Sequence, residues 1–224
     1  MTAAICDAAR RGQAAPLRLV MLPAAYTAPQ DFVDAGFIRA VRERRLDVDL
    51  VFAGLELAHV GDRSVLARLA AEHILPARAR GVAVWLGGIS LGGYLALCFA
   101  ERHASELAGL TLFAPYLGSH LVTAEIEQAR GVAQWRPAAI AEDDDERRVW
   151  RFIRSLRGSS LPVHLGLGRD DRFAPRHRLL AAALEPESVD VVPGGHDWAT
   201  WQHLWERFLE SRLVQHPALA GGAD

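Results

Sequence analysis

Sulfhydryl chemistry is scarce in this 224-residue chain: Cys6 and Cys98 are its two cysteines. They supply neither a disulfide framework nor a paired metal-ligand spacing, so a reduced, cytoplasmic setting is the simpler expectation. Cys98 lies in an apolar segment and reads as packing material. Uncharged apolar runs of about 18 residues are also missing, so no transmembrane segment is expected. The N-terminal region lacks a leader's sequence of basic stretch, apolar stretch and cleavage site, because Arg18 and Pro23 interrupt Leu17–Ala25. Charge of one sign is not in excess either. The formal net charge is -2, which argues against a broad polyanion-binding surface. Arg42, Arg44 and Arg45 are interrupted by Glu43 and read as a solvated helix face, so no nucleic-acid partner is expected. The histidines other than His196 are scattered without metal-ligand spacing, and no metal site is expected.

What is present is apolar material in an ordered pattern. Half of the residues are hydrophobic, which with the small net charge excludes general disorder. Leu17–Pro23, Asp47–Ala53, Val82–Gly87, Leu110–Ala114, Val163–Gly168 and Val189–Val192 read as short, largely apolar strands. Helical periodicity lies between them. One helix follows Pro29 and Asp31, with Phe32, Phe37, Ile38 and Val41 on its stripe. Another is capped by Asp62 and runs to about Ala79, with Pro76 near its end. Further helices are expected at Leu91–Ala100, Glu142–Leu156, Arg176–Leu184 and Trp198–Leu213. Buried strands alternating with helices imply an α/β fold with a mostly parallel central sheet flanked by helices on both faces.

One domain, residues 17–213, is the economical organisation. Residues 1–16 read as a polar lead-in and 214–224 as a tail. The irregular stretch around 116–160 is a candidate small cap, with Trp135 as a packing residue. The acidic run Glu142–Glu146 reads as a helix start rather than a calcium loop.

The sharpest local feature is Gly88-Ile89-Ser90-Leu91-Gly92, set between the Val82–Gly87 strand and the Leu91–Ala100 helix. A nucleophile elbow needs that context: serine on a strained turn, and glycines at Gly88 and Gly92 where backbones approach closely. The Leu91 amide then falls at the helix start, where it could donate to an oxyanion. A Walker loop is excluded by the missing lysine and hydroxyl ending, and a dinucleotide fingerprint by the glycine spacing, so no cofactor is expected.

A serine nucleophile needs a base, and the base needs an orienting acid. His196, in Gly194-Gly195-His196-Asp197-Trp198, follows the last strand and is the candidate base. Asp197 reads as the cap of the final helix. The candidate acid is Asp171, with Asp170 as the alternative, both in Gly168-Arg169-Asp170-Asp171-Arg172-Phe173. Trp198, Trp201 and Trp205 share one helix face that suits packing, with Trp198 able to border a site.

These three motifs, in the order serine, acid, histidine, resemble those of the α/β-hydrolase family, and of a compact carboxylesterase or thioesterase within it. The likeness extends over essentially Leu17–Leu213. It implies Ser90, Asp171 and His196 as catalytic residues and oxyanion-hole amides at Leu91 and Ala25. Tyr26, Ile89 and Trp198 are the candidate pocket lining. Pro23-Ala24-Ala25-Tyr26 stands where the family usually has a His-Gly start, and the strands that usually precede the Leu17 position are expected to be absent. The implied function is hydrolysis of a small-molecule acyl ester or thioester through an acyl-enzyme, without cofactor or metal. Acyl transfer, amide hydrolysis and a noncatalytic ligand-binding role on the same scaffold remain open, as does homo-oligomerisation.

Overall fold

The computed structural model describes residues 3–54 and 64–214. Among them are strands β1 (Ile5–Asp7), β2 (Leu17–Leu22), β3 (Val48–Phe52), β4 (Ala83–Ile89), β5 (Gly109–Phe113), β6 (Val163–Gly168) and β7 (Val189–Val192). They form one sheet in the order β1-β3-β2-β4-β5-β6-β7. β1 pairs antiparallel with β3, and every other neighbouring pair is parallel. The helices are α1 (Pro29–Asp34), α2 (Phe37–Glu43), α3 (Ser64–Leu69), α4 (Leu75–Arg78), α5 (Leu91–His103), α6 (His120–Gln128), α7 (Asp145–Ser155), α8 (Ala174–Ala181) and α9 (Trp198–Phe208). This is the expected α/β-hydrolase architecture.

Period-two alternation decides which side chain goes to which face. Along β2, Leu17, Leu19 and Met21 enter one core and Val20 and Leu22 the other; β3 repeats the pattern with Val48, Leu50 and Phe52 against Val51. The first core is aromatic and is closed by α1, α2 and α9. Phe32 stacks on Phe52 with centroids 4.7 Å apart, and Phe37 stacks on Trp205 at 4.8 Å. The Trp205 indole N–H donates to the Phe37 carbonyl at 3.0 Å, which satisfies its one polar atom inside the core. The second core is mainly aliphatic. Leu95, Leu97 and Phe99 of α5 join Leu86, Leu110 and Leu112 of the sheet and Val149, Trp150 and Ile153 of α7. Cys98 is buried there, and burial pushes its thiol up to about 12, in keeping with a packing residue.

Several local expectations are corrected. The polar lead-in contains β1, which extends the sheet, so a strand does precede Leu17. Its ties are distant in sequence: the Arg42 guanidinium donates to Asp7 at 2.8 Å, and buried Asp49 accepts from the Ala9 amide at 3.0 Å. A three-residue strand is too short to show periodicity. Asp62, the expected cap, lies outside the described residues. From Ser64 onward, α3 passes through a π-helical turn, Ala70–Ile74, into α4. Pro76 cannot donate to the carbonyl four residues back, and the wider turn precedes it. α7 starts at Asp145 rather than Glu142, because the Asp144 carboxylate accepts from the Arg147 amide at 3.0 Å and caps it. Trp135 is buried in the second core.

Candidate active site

The elbow follows from steric facts on either side of Ser90. β4 runs directly into α5 through this one residue, whose φ of 50° and ψ of -113° lie where a non-glycine residue is strained. The strain is held in place by hydrogen bonds. The Ser90 amide donates to the Phe113 carbonyl of β5 at 2.9 Å, and its carbonyl accepts from Tyr116 at 2.9 Å. A β-carbon on Gly88 would strike the Gly92 carbonyl group and lie 2.6 Å from the Gly93 nitrogen. One on Gly92 would strike the Leu22 carbonyl oxygen at the end of β2. Both glycines are therefore required by backbone packing, which is why the sequence motif and its strand–helix setting occur together.

His196 and the two aspartates come from neighbouring loops after β7 and β6. The His196 Nε2 lies 3.0 Å from the Ser90 Oγ, and its Nδ1 lies 2.7 Å from an Asp171 carboxylate oxygen. Asp171 is 4% exposed. Burial by itself would raise its carboxyl. The hydrogen bonds from His196 and from the Phe173 amide, the latter at 2.8 Å, outweigh that and hold it below the usual carboxylate range. Asp170 does something else. Its carboxylate accepts from the Gly194 amide at 3.2 Å, and its own amide donates to the Gly194 carbonyl at 2.9 Å. Adjacent aspartates thus divide the work, one facing the imidazole and the other fastening the loop that carries it. Gly168 permits this closeness, since a β-carbon there would sit 2.5 Å from the Gly194 carbonyl oxygen.

The imidazole is further confined by rings set edge-on to it. Phe173 and Trp201 have centroids 5.2 and 5.1 Å from His196, at interplanar angles of 80° and 88°. Asp197 caps α9, accepting from the Thr200 amide at 2.9 Å and its hydroxyl at 3.0 Å. On the buried side of α8, His177 lies 3.1 Å through Nε2 from the Pro115 carbonyl; that ring nitrogen must donate, since a carbonyl can only accept. Burial holds the His177 imidazole down to about 4.

Ser90 and His196 open into a cavity of about 500 Å³. Ala24, Ala25, Tyr26 and Thr27 form one part of its lining, and Pro115, Tyr116 and Leu117 another. Trp198 and Trp201 contribute from α9, and Arg172, Phe173 and Arg176 from the loop and helix after β6. Tyr26 and Trp198, expected as lining, are among these residues, and so is Ala25, expected as an oxyanion-hole amide. Tyr26 stands 93% exposed, with a φ of 62°. Ile89 is not part of the lining. It is fully buried in the aromatic core, because the residue before Ser90 still belongs to the β4 pleat and points into the sheet packing. Phe173, Arg172, Arg176 and Trp201 were missed as site residues. The position of Phe173 and Arg172 directly beside the acid was the available signal. Among the described residues no group of three or more His, Cys, Asp or Glu could hold a metal, and no helix is long and apolar enough to cross a membrane.

Fold and site together define an α/β-hydrolase-fold, esterase-like protein. The family model described as "Putative esterase" matches residues 69–210, a stretch that holds Ser90, Asp171 and His196, and the chain belongs to that family. An acetyl esterase of Caldicellulosiruptor saccharolyticus is 26% identical over 142 residues, which cover 57% of this chain and 53% of that protein. The chain thus spans about half the length of this curated relative. A monoacylglycerol lipase from Paleococcus ferrophilus superposes with a TM-score of 0.62 at 13% identity, covering 96% of this chain and 98% of that one. The fluorophosphonate-binding serine hydrolase F of Staphylococcus aureus superposes with a TM-score of 0.61 at 14% identity, covering 89% and 85%. At such identities these two structures speak for the fold.

Proposed function

We propose that the chain is a serine hydrolase that cleaves a carboxylic ester or thioester through an acyl-enzyme. The observation that carries this reading is the continuous line from Ser90 through His196 to Asp171, with steps of 3.0 and 2.7 Å. Asp171, held ionised, accepts the His196 Nδ1–H and so leaves Nε2 as the acceptor for the Ser90 hydroxyl. As Ser90 Oγ bonds to the substrate carbonyl carbon, His196 takes its proton. The carbonyl oxygen becomes an oxyanion that the Leu91 and Ala25 amides stabilise. Collapse breaks the bond to the leaving oxygen or sulfur, which takes the proton from His196. Water, deprotonated by His196, then attacks the acyl group, and release of the acid restores Ser90. Family membership and the likeness to an acetyl esterase support an ester as substrate.

The test is intact-mass analysis after treatment with a small fluorophosphonate, alongside turnover of an ester and thioester panel, for wild type and Ser90→Ala. One adduct per wild-type chain, absent from the variant together with turnover, is expected. An adduct or turnover that survives in Ser90→Ala rejects Ser90 as nucleophile. A wild type that binds esters saturably with neither label nor turnover would point instead to a binding protein on this scaffold.

A further inference from the structure

The lining of this cavity carries an imbalance that ester hydrolysis itself does not require. Arg172, in the loop that leads into α8, and Arg176, in the first turn of α8, both line it. Among the described residues neither forms an ion pair. The Arg172 guanidinium lies over the Phe173 ring, 4.8 Å from its centroid, and that ring in turn lies edge-on to His196. The chain of contacts places the guanidinium within about 10 Å of the imidazole, the reach of a short substrate arm. Arg176 has one long contact, 3.4 Å from the Gly118 carbonyl. Glu146, close to Gly118, accepts instead from the Ser119 hydroxyl at 2.6 Å, the Ser119 amide at 2.9 Å and the Tyr116 hydroxyl at 3.3 Å. Asp197 also lines the cavity, but its carboxylate is committed to the α9 cap. Two arginines thus line a largely apolar cavity beside Ser90 and His196 without a direct carboxylate partner among the described residues.

Resting on the serine-hydrolase reading above, we propose that the substrate carries an oxyanion, a carboxylate or phosphate, a short distance from the scissile carbonyl, and that Arg172 and Arg176 bind it. Guanidinium suits this role because it stays charged at any working pH and presents its N–H groups as a planar fork to two oxygens at once. The apolar walls lower the local dielectric and strengthen that attraction relative to open water. The substrate class is then a half-ester or an acidic acyl ester or thioester rather than a neutral lipid ester.

Matched substrate pairs test it: 4-nitrophenyl butyrate against the 4-nitrophenyl monoester of glutarate for a carboxylate on the acyl side, and acetyl-N-acetylcysteamine against acetyl-coenzyme A for phosphate on the leaving group. The ratio of kcat/KM, charged over neutral, is read for wild type, Arg172→Gln/Arg176→Gln and Arg172→Lys/Arg176→Lys. In at least one pair wild type should prefer the charged member about tenfold, mainly through KM. The Gln double variant should lose that preference, the Lys variant should regain part of it, and 0.5 M salt should erode it (about a 4 Å screening length). A ratio at or below one in both pairs, or one unmoved by the Gln substitutions, overturns the proposal. It would do so while neutral esters still turn over, which separates this failure from failure of the hydrolase reading. If no ester is turned over, Trp198 and Trp201 give an independent readout. Glutarate should quench the fluorescence of wild type with saturation, and glutaramide should not; equal quenching by both, or none by either, overturns the proposal.

Discussion

Replacing Gly92 by alanine tests the claim that the elbow is set by backbone packing rather than by the serine itself. The added β-carbon would strike the Leu22 carbonyl oxygen, lie 2.5 Å from that carbonyl carbon and 2.6 Å from the Pro23 carbonyl oxygen. Unstrained carbon contacts start near 3.5 Å, so α5 and the end of β2 must part by about 1 Å. All three atoms are backbone and none can swing aside. The stability cost should therefore reach the upper end for overpacking, about 3 kcal/mol. For a chain of this length that lowers Tm by roughly 6 to 12 °C. The same displacement moves Ser90 away from Ala25, and a shift of about 1 Å should lower kcat about 100-fold. Gly81→Ala is the control. Gly81 has a positive φ, 76°, which Gly92 does not, but a β-carbon there meets nothing within 4 Å. Its cost is left-handed strain alone, about 1 to 2 kcal/mol, with kcat unchanged. Thermal melts by circular dichroism and steady-state hydrolysis of 4-nitrophenyl acetate decide the matter. A Gly92→Ala protein that melts no lower than Gly81→Ala and keeps its kcat within threefold of wild type would refute the reasoning.

Three further outcomes are expected. Asp171→Asn should lower kcat by about 10³- to 10⁴-fold by spoiling the imidazole's orientation, whereas Asp170→Asn, which keeps an acceptor for Gly194, should cost less than about tenfold; equal losses on ester turnover would undo this division of labour. His177 titrates at about 4 in the fold against 6.5 unfolded, so the unfolded chain binds the extra proton as pH falls between those values and the native state loses up to roughly 3 kcal/mol. Urea unfolding should give His177→Gln a shallower fall in stability across that window, and an unchanged slope would exonerate the histidine. Asp197→Ala removes a helix cap and should cost about 1 kcal/mol in the same assay, and a cost indistinguishable from zero would show that solvent replaces the cap fully.

What was legible in the sequence is what local sterics and chain order encode. Gly88 and Gly92 flank Ser90 because two backbone approaches forbid a side chain, and that constraint is visible in five letters. The parallel sheet was legible because each buried strand is a short apolar run between helical periods. The preference for Asp171 left Asp170 open as the alternative, since the choice depends on which way two adjacent side chains point after β6. The lining role of Arg172 and Arg176 was hidden for a similar reason: the cavity is made where loops after four strands meet, and no periodicity records such meetings. Ile89 shows the converse error. Nearness to Ser90 in sequence suggested the pocket, but the β4 pleat had already assigned it to the core. β1 escaped because Arg42 and Asp49, which tie the N-terminal residues down, lie more than thirty positions away.

The stacking of Phe37 on Trp205 has a consequence in time. The two residues are separated by 168 positions, and ribosomes add roughly 5 to 20 residues per second. The aromatic face built by Phe32, Phe37 and Phe52 therefore waits roughly 10 to 30 s on the growing chain before α9 arrives to cover it. A chain ending at Val192 should bind an apolar dye and associate at micromolar concentration, and one that stays monomeric and dye-silent would contradict this order of events. Because α9 also brings His196 in at its start, burial of that face and completion of the site happen together. On the proposed serine-hydrolase reading, a nascent chain that still exposes this face is one that lacks its base.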